Sequence, residues 1–124
     1  MPFTGYIEKA LLDWSTGAAA VTVPPGRWIQ WATASPTSQS AFDGPFSPRM
    51  TVTFASANSP QGSVTNLNAI TGTATAAATA VGWNLYDSNV GGTRIAYGTL
   101  SASVGCKSAD NPAFGAGGLV ITLS

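Results

Sequence analysis

Apolar and polar positions alternate most clearly between residues 79 and 100. Val81, Trp83 and Leu85 alternate with Gly82, Asn84 and Tyr86, and Ile95, Tyr97 and Thr99 alternate with Ala96, Gly98 and Leu100. Successive side chains of a strand point to opposite faces, so a period of two predicts two strands with one buried face each. Asp87-Ser88-Asn89-Val90-Gly91-Gly92 lies between them, and Asp, Asn and Gly are turn formers. The stretch is predicted to be a β-hairpin around which the rest of the chain packs.

Phe3, Ile7, Leu11 and Trp14, with Ala10, recur at steps of three and four, which predicts an amphipathic helix over residues 5–15. Thr4 is placed to cap its start, Gly17 to close its end, and Lys9 and Asp13 to pair across one turn. A helix this short is marginal alone and relies on packing. The chain's own sheet is the expected support, a neighbouring subunit the alternative.

Val21–Pro25 approaches a strand that Pro24-Pro25-Gly26 ends. Arg27–Thr33 is a clear strand with Ile29 and Trp31 on one face and Trp28, Gln30 and Ala32 on the other. Large aromatics on both faces imply either an interface or a second layer that buries the second ring. Ala34–Pro48 is a loop in which Phe42 and Phe46 flank Asp43-Gly44-Pro45, either docked on the domain or offered to a partner. Arg49–Ala55 alternates again, Met50, Val52 and Phe54 inward and Thr51 and Thr53 outward. Asn58–Gly62 is a turn, Ser63–Thr73 a weaker strand carrying Val64, Leu67 and Ile70, and Thr71–Ala80 a loop entering the hairpin. Ser101–Lys107 is expected to add a short strand, Ser108–Gly118 a glycine-rich connection and Leu119–Leu123 a closing strand. No helical period separates the strands. The expected fold is mostly β: a single-domain antiparallel β-sandwich over residues 1–124, jelly-roll-like, with one short N-terminal helix.

Charge sharpens this picture. Five basic and five acidic residues cancel and make up 8% of the chain, where about a quarter is usual. Solvent-facing positions must be filled mostly by Ser, Thr, Asn, Gly and Ala, leaving little repulsion between copies; this suits a protein that ends in an assembly, with a neutral secreted domain as the alternative. The basic residues stand singly, so no nucleic-acid partner is expected. The longest weakly apolar run, residues 17–23, is far short of the ~20 that span a membrane, so none is expected there either. The single Cys106 has no disulfide partner within the chain and reads as a buried, inert thiol.

Candidate chemistry is sparse. The chain has no histidine, which removes His-based triads, His-containing zinc sites and the usual general base. Glu8 and Asp13 are the closest carboxylates in sequence, yet five helical steps set them ~140° apart around the axis. Residues 87–92 resemble the start of a calcium loop, but Gly91 replaces an oxygen ligand and Gly98 occupies the position of the closing glutamate, so a plain turn is expected. No catalytic, cofactor or metal residues are assigned. The candidate assembly contacts are the aromatics Trp14, Trp28, Trp31, Phe42 and Phe46.

Three stretches also carry a family resemblance: Y-I-E-K-A-L-L-D-W at Tyr6–Trp14, the hairpin with its L-Y-D, G-G and Y-G-T-L, and A-F-G-A-G-G-L-V-I-T-L at Ala113–Leu123. Together they resemble a family of small virion proteins of tailed bacteriophages, often labelled phage tail-fibre protein. Ala109-Asp110-Asn111-Pro112 stands where that pattern has a Gly-Asp turn. The resemblance implies a non-enzymatic virion component whose partners are the major capsid protein or tail proteins, working as a homo-oligomer with a trimer expected. One compact domain without repeats favours capsid decoration, with a tail or tail-fibre role as the alternative. From another class, a carbohydrate-binding module would use Trp28 and Trp31 as a stacking platform with Gln30 beside them, provided that a bulge brings the two rings to one face.

Overall fold

The computed structural model describes residues 3–20, 26–37, 39–46, 49–54, 63–114 and 120–122. Its elements are α1 (Gly5–Ser15), β1 (Trp28–Ala32), β2 (Met50–Thr51), β3 (Ser63–Thr65), β4 (Ile70–Thr71), β5 (Ala78–Tyr86), β6 (Arg94–Cys106), β7 (Ala113–Phe114) and β8 (Val120–Thr122). A four-stranded sheet runs in the order β2-β1-β5-β6, and β3 with β8 and β4 with β7 form two-stranded ribbons. All of these pairings are antiparallel. The chain is therefore mostly β with one opening helix, as its alternation predicts, and its second layer is assembled from short ribbons. The readings over residues 21–25 and 58–62 lie outside the described residues.

The predicted hairpin is the centre of the sheet. On one face Trp31 lies directly across from Trp83 and Ile29 from Leu85, and these four join Met50, Val52, Ile70 and Ala74 in one apolar cluster. Cross-strand neighbours of this size are what stabilise a sheet face. On the other face Trp28 pairs with Tyr86, Gln30 with Asn84 and Ala32 with Gly82. That face is covered too, so residues 82–86 of β5 are buried without a break. The cover is the loop after β1, which comes close because Gly82 has no side chain. A Cβ there would stand 2.6 Å from Pro36 Cδ and 2.7 Å from the Gly98 carbonyl oxygen.

The hairpin is longer than its alternation suggests. Ser101–Lys107 is not a separate strand; residues 101–106 are the second half of β6. Ala80 faces Val104 and Gly82 faces Thr99, so Val81 alone stands opposite residues 100–103. This bulge absorbs the irregularity that reads as a break in sequence. A second register shift leaves Ile95 as the extra residue, between Leu85↔Ala96 and Tyr86↔Arg94. At that point the Thr4 N–H donates to the Ile95 carbonyl at 3.0 Å. The Thr4 hydroxyl donates to Arg94 O at 2.7 Å instead of capping the helix.

Two other strands are shorter than predicted, for the same physical reason. The chain leaves the β1 side after Val52, whose N–H donates to Arg27 O at 3.1 Å, and the Thr53 N–H donates to the Asn68 side chain at 2.8 Å. Asn66 in turn donates to the Asn68 carbonyl at 2.7 Å. Side-chain amides replace ladder bonds here, and Ser63–Thr73 splits into β3 and β4. The inward and outward assignments nevertheless hold: Met50 and Val52 are buried, Thr51 and Thr53 exposed.

The turns follow their chemistry. The Thr93 N–H donates to Asp87 Oδ1 at 2.7 Å, and Gly91 and Gly92 take φ of 62° and 74°. Asp87 is thus a turn residue. In the turn after β6, the Lys107 N–H donates to Asp110 Oδ2 at 2.8 Å, while Ala109 is held at φ 74°. A left-handed alanine costs about 1–2 kcal/mol. Ala109→Gly is expected to raise stability by about 0.5–1 kcal/mol, and Gly82→Ala to lower it by about 1–3 kcal/mol through overpacking. Urea unfolding of both variants measures the two shifts.

Candidate assembly surface

The helix α1 has the predicted bounds, and Lys9 pairs with Asp13. The stop is as predicted: Gly17 has φ 77°, its N–H donates to Trp14 O at 3.2 Å, and the Ala18 N–H donates to Asp13 O at 2.8 Å. Its packing differs from the expectation. Ile7 rests against the core, yet no residue of the helix is buried. Leu11 is 38% exposed, and Trp14 and Leu12 are each 64% exposed. The helix is tied to β6 through Thr4 at its start, so its first turn lies over the sheet and the apolar stripe runs on beyond that support. Glu8, Leu11, Leu12, Trp14 and Ser15 line a shallow, mainly apolar cleft of about 460 Å³.

The loop after β1 separates its two phenylalanines. Gly44 N–H donates to Trp31 O at 3.0 Å and Thr33 N–H to Phe42 O at 3.0 Å, so residues 42–44 run along the free edge of β1. Asp43 bridges to Ala32 and reaches past that small side chain. Its Oδ1 accepts from Asn84 Nδ2 at 2.8 Å and its Oδ2 from the Tyr86 hydroxyl at 2.5 Å. Asn84 Nδ2 also donates to Ala41 O at 2.8 Å, and Arg94 Nη1 to Asn84 Oδ1 at 2.9 Å. Gln30 Nε2 donates to Phe46 O at 2.7 Å. These bonds dock Phe46 in the core, at 3% exposed, and leave Phe42 at φ 54° and 48% exposed.

The five candidate contacts are therefore divided. Trp14 and Phe42 face solvent, Trp28 is half-buried, and Trp31 and Phe46 belong to the chain's own core. Trp31 and Phe46 are corrected from surface anchors to core residues, because both faces of β1 and β5 are covered from within the chain. The register of β1 with β5 is unbroken, so Trp28 and Trp31 stay on opposite faces and form no joint sugar platform. Trp28 instead borders a groove of about 490 Å³ with Gln30, Phe46, Arg49, Asn89, Val90 and Gly91. Arg49 lies 3.6 Å from the Tyr86 ring centroid and donates to Ser88 O at 2.9 Å and Gly91 O at 2.7 Å, fixing the hairpin turn against the groove.

Two features escape the sequence pattern. Tyr6 and Leu12 lie off the amphipathic stripe yet are among the most exposed apolar side chains. An apolar residue on the polar side of a short helix is the signal that marks Leu12. The Asp43, Asn84, Tyr86 and Arg94 network is foreshadowed only by Asn84 standing among large apolar residues of a central strand.

The polar side chains of this site hold loops in place. Cys106 is buried, and that burial raises its thiol pKa, the Asp110 charge adding to the effect. Among the described residues no three His, Cys, Asp or Glu side chains gather to hold a metal ion. The chain is β-rich, with polar groups directed inward and an amphipathic helix whose far end is exposed. It matches the family described as Podophage GP4 fiber I protein gp80 over residues 2–122, and it belongs to that family. It is thereby a component of the phage virion. No curated protein matches the chain.

Burial, and then the bond to Asp43, push the Tyr86 phenol well above its ordinary value near 10. Because the folded-state value is the higher one, the stabilisation is complete below pH ~10 and is lost as pH rises through the folded value. Urea unfolding followed against pH should show stability falling above pH ~10. Tyr86→Phe should flatten that fall and cost about 1 kcal/mol at neutral pH.

Proposed function

We propose that the protein is a fibre component of a podophage virion, a non-enzymatic subunit that works through contacts with copies of itself and with neighbouring virion proteins. The family match over residues 2–122 carries this reading. The projecting α1 supplies the means, since Leu12 and Trp14 offer large apolar area that the chain itself leaves in water. Phe42 and the rim of Trp28 are the next candidate anchors. Capsid decoration is the second reading, favoured by the described β-domain being compact, with no shaft-like repeat among its elements. A homo-oligomer is proposed in both cases.

Immunogold microscopy of intact particles tests the location. Gold at the fibres or tail is the expected result; gold spread over the head would replace the fibre role with decoration. The contact itself is tested by Trp14→Ala and Leu12→Ser. Both side chains are exposed, so each variant should keep its stability within about 0.5 kcal/mol, while incorporation into particles, read by immunoblot of purified virions, should fall severalfold. Undiminished incorporation of both would remove α1 from the interface.

A further inference from the structure

Four of the chain's five acidic residues are bonded within the chain. Asp13 pairs with Lys9, Asp43 accepts from Asn84 and Tyr86, Asp87 from the Thr93 N–H and Asp110 from the Lys107 N–H. Glu8 is the fifth, and its carboxylate has no hydrogen bond or ion pair among the described residues. It stands exposed on α1, one turn before Leu12, and lines the apolar cleft together with Leu11, Leu12 and Trp14. Residues four apart on a helix are neighbours, so Glu8 and Leu12 present a charge and a large apolar group side by side.

The groove beside Trp28 has the complementary make-up. Trp28 and Phe46 give it apolar walls, Val90 lines it at 79% exposed, and Arg49 is the one charged residue in its lining. The Arg49 guanidinium is stacked on Tyr86 and donates through Nη1 to two carbonyls, while no carboxylate pairs with it among the described residues. It is thus held in one position and partly stripped of water before anything binds. A purely apolar surface laid over the groove would bury that charge unpaired, which is strongly unfavourable. A partner that fills the groove must therefore bring a carboxylate set beside apolar side chains. Within this chain Glu8 on α1 is that group.

Both surfaces are open in the single chain. The helix is tied to β6, whereas the groove lies over β1 and the hairpin turn, with β5 between the two strands. We propose that α1 of one copy docks in the groove of a second copy, Glu8 pairing with Arg49 while Leu12 packs against Trp28 and Val90. The docking rests on the reading of α1 as the assembly helix of a homo-oligomeric virion subunit, and it names the occupant and its seat. Its two halves are different surfaces, so every chain carries both and can engage a neighbour through each.

Sedimentation equilibrium of the full chain, followed by crosslinking, is the test. The wild type should self-associate, and Glu8→Arg should weaken that association by about tenfold or more, because two guanidinium groups then meet. Glu8 is exposed, so this variant keeps its fold. Arg49→Glu should weaken association likewise, and an equimolar mixture of the two variants should associate again. Leu12→Cys mixed with Val90→Cys should give a disulfide between the two different chains under mild oxidation. Both positions are exposed, so this measurement decides the matter if Arg49→Glu fails to fold. A wild type monomeric at every concentration, an association unchanged by Glu8→Arg, or disulfides formed only between like variants would overturn the docking. If Leu12→Ser still lowers incorporation into particles while the chain proves monomeric, this contact falls and the virion role of α1 stands.

Discussion

A central strand buried on both faces constrains everything else. β5 runs through the middle of the sheet with Trp83 and Leu85 on one side and Asn84 and Tyr86 on the other, none of them more than 6% exposed. Each face needs its own cover, and the two covers differ in kind. One face receives the apolar cluster. The other receives a loop, held by Asp43 bonding Asn84 and Tyr86 and by Gln30 bonding Phe46. Asp43 keeps part of its surface in water, so its charge is not stranded in the interior, and the desolvation cost that usually cancels a buried carboxylate's bonds stays small.

This arrangement engages seven of the chain's ten charged residues. Asp43 and Arg94 bind the loop to the sheet, Arg49 and Asp87 set the hairpin turn, Asp110 closes the turn after β6, and Lys9 and Asp13 neutralise each other on the helix. Little charge is left to repel a neighbouring copy. Most of the ionic groups thus act within the chain, and the surface they leave is largely uncharged.

Local periodicity made α1, β1 and the hairpin legible, because each is specified by residues a few positions apart. The helix stop follows from Gly17, and the inward residues of the 49–54 segment from strict alternation. What was not legible depends on distant partners. Trp28 and Trp31 look equivalent on one strand, and the return of residues 39–46 over the second face decides how far each is buried. Phe42 and Phe46 look equivalent on one loop until the backbone turns to positive φ at Phe42. Asn68 interrupts a strand through side-chain bonds to Thr51 and Thr53 that no local pattern encodes. The overhang of α1 depends on where the sheet beneath it ends.

That overhang leaves the helix end short of support from the chain itself. A helix of 11 residues is too short to be stable through propensity alone. Its start is anchored by Thr4 and Ile7; its end is held, among the described residues, by local bonds: the Gly17 stop, the Thr16 hydroxyl donating to Leu12 O at 2.7 Å, and the Lys9–Asp13 pair, the last worth about 0.2–0.5 kcal/mol. Burying a tryptophan or leucine side chain contributes about 1.5–3 kcal/mol, several times more than those local terms. Trp14 and Leu12 gain it only against another surface. The last two turns of α1 therefore keep their largest apolar side chains in water, and any contact that covered them would gain that burial and order the helix end at the same time.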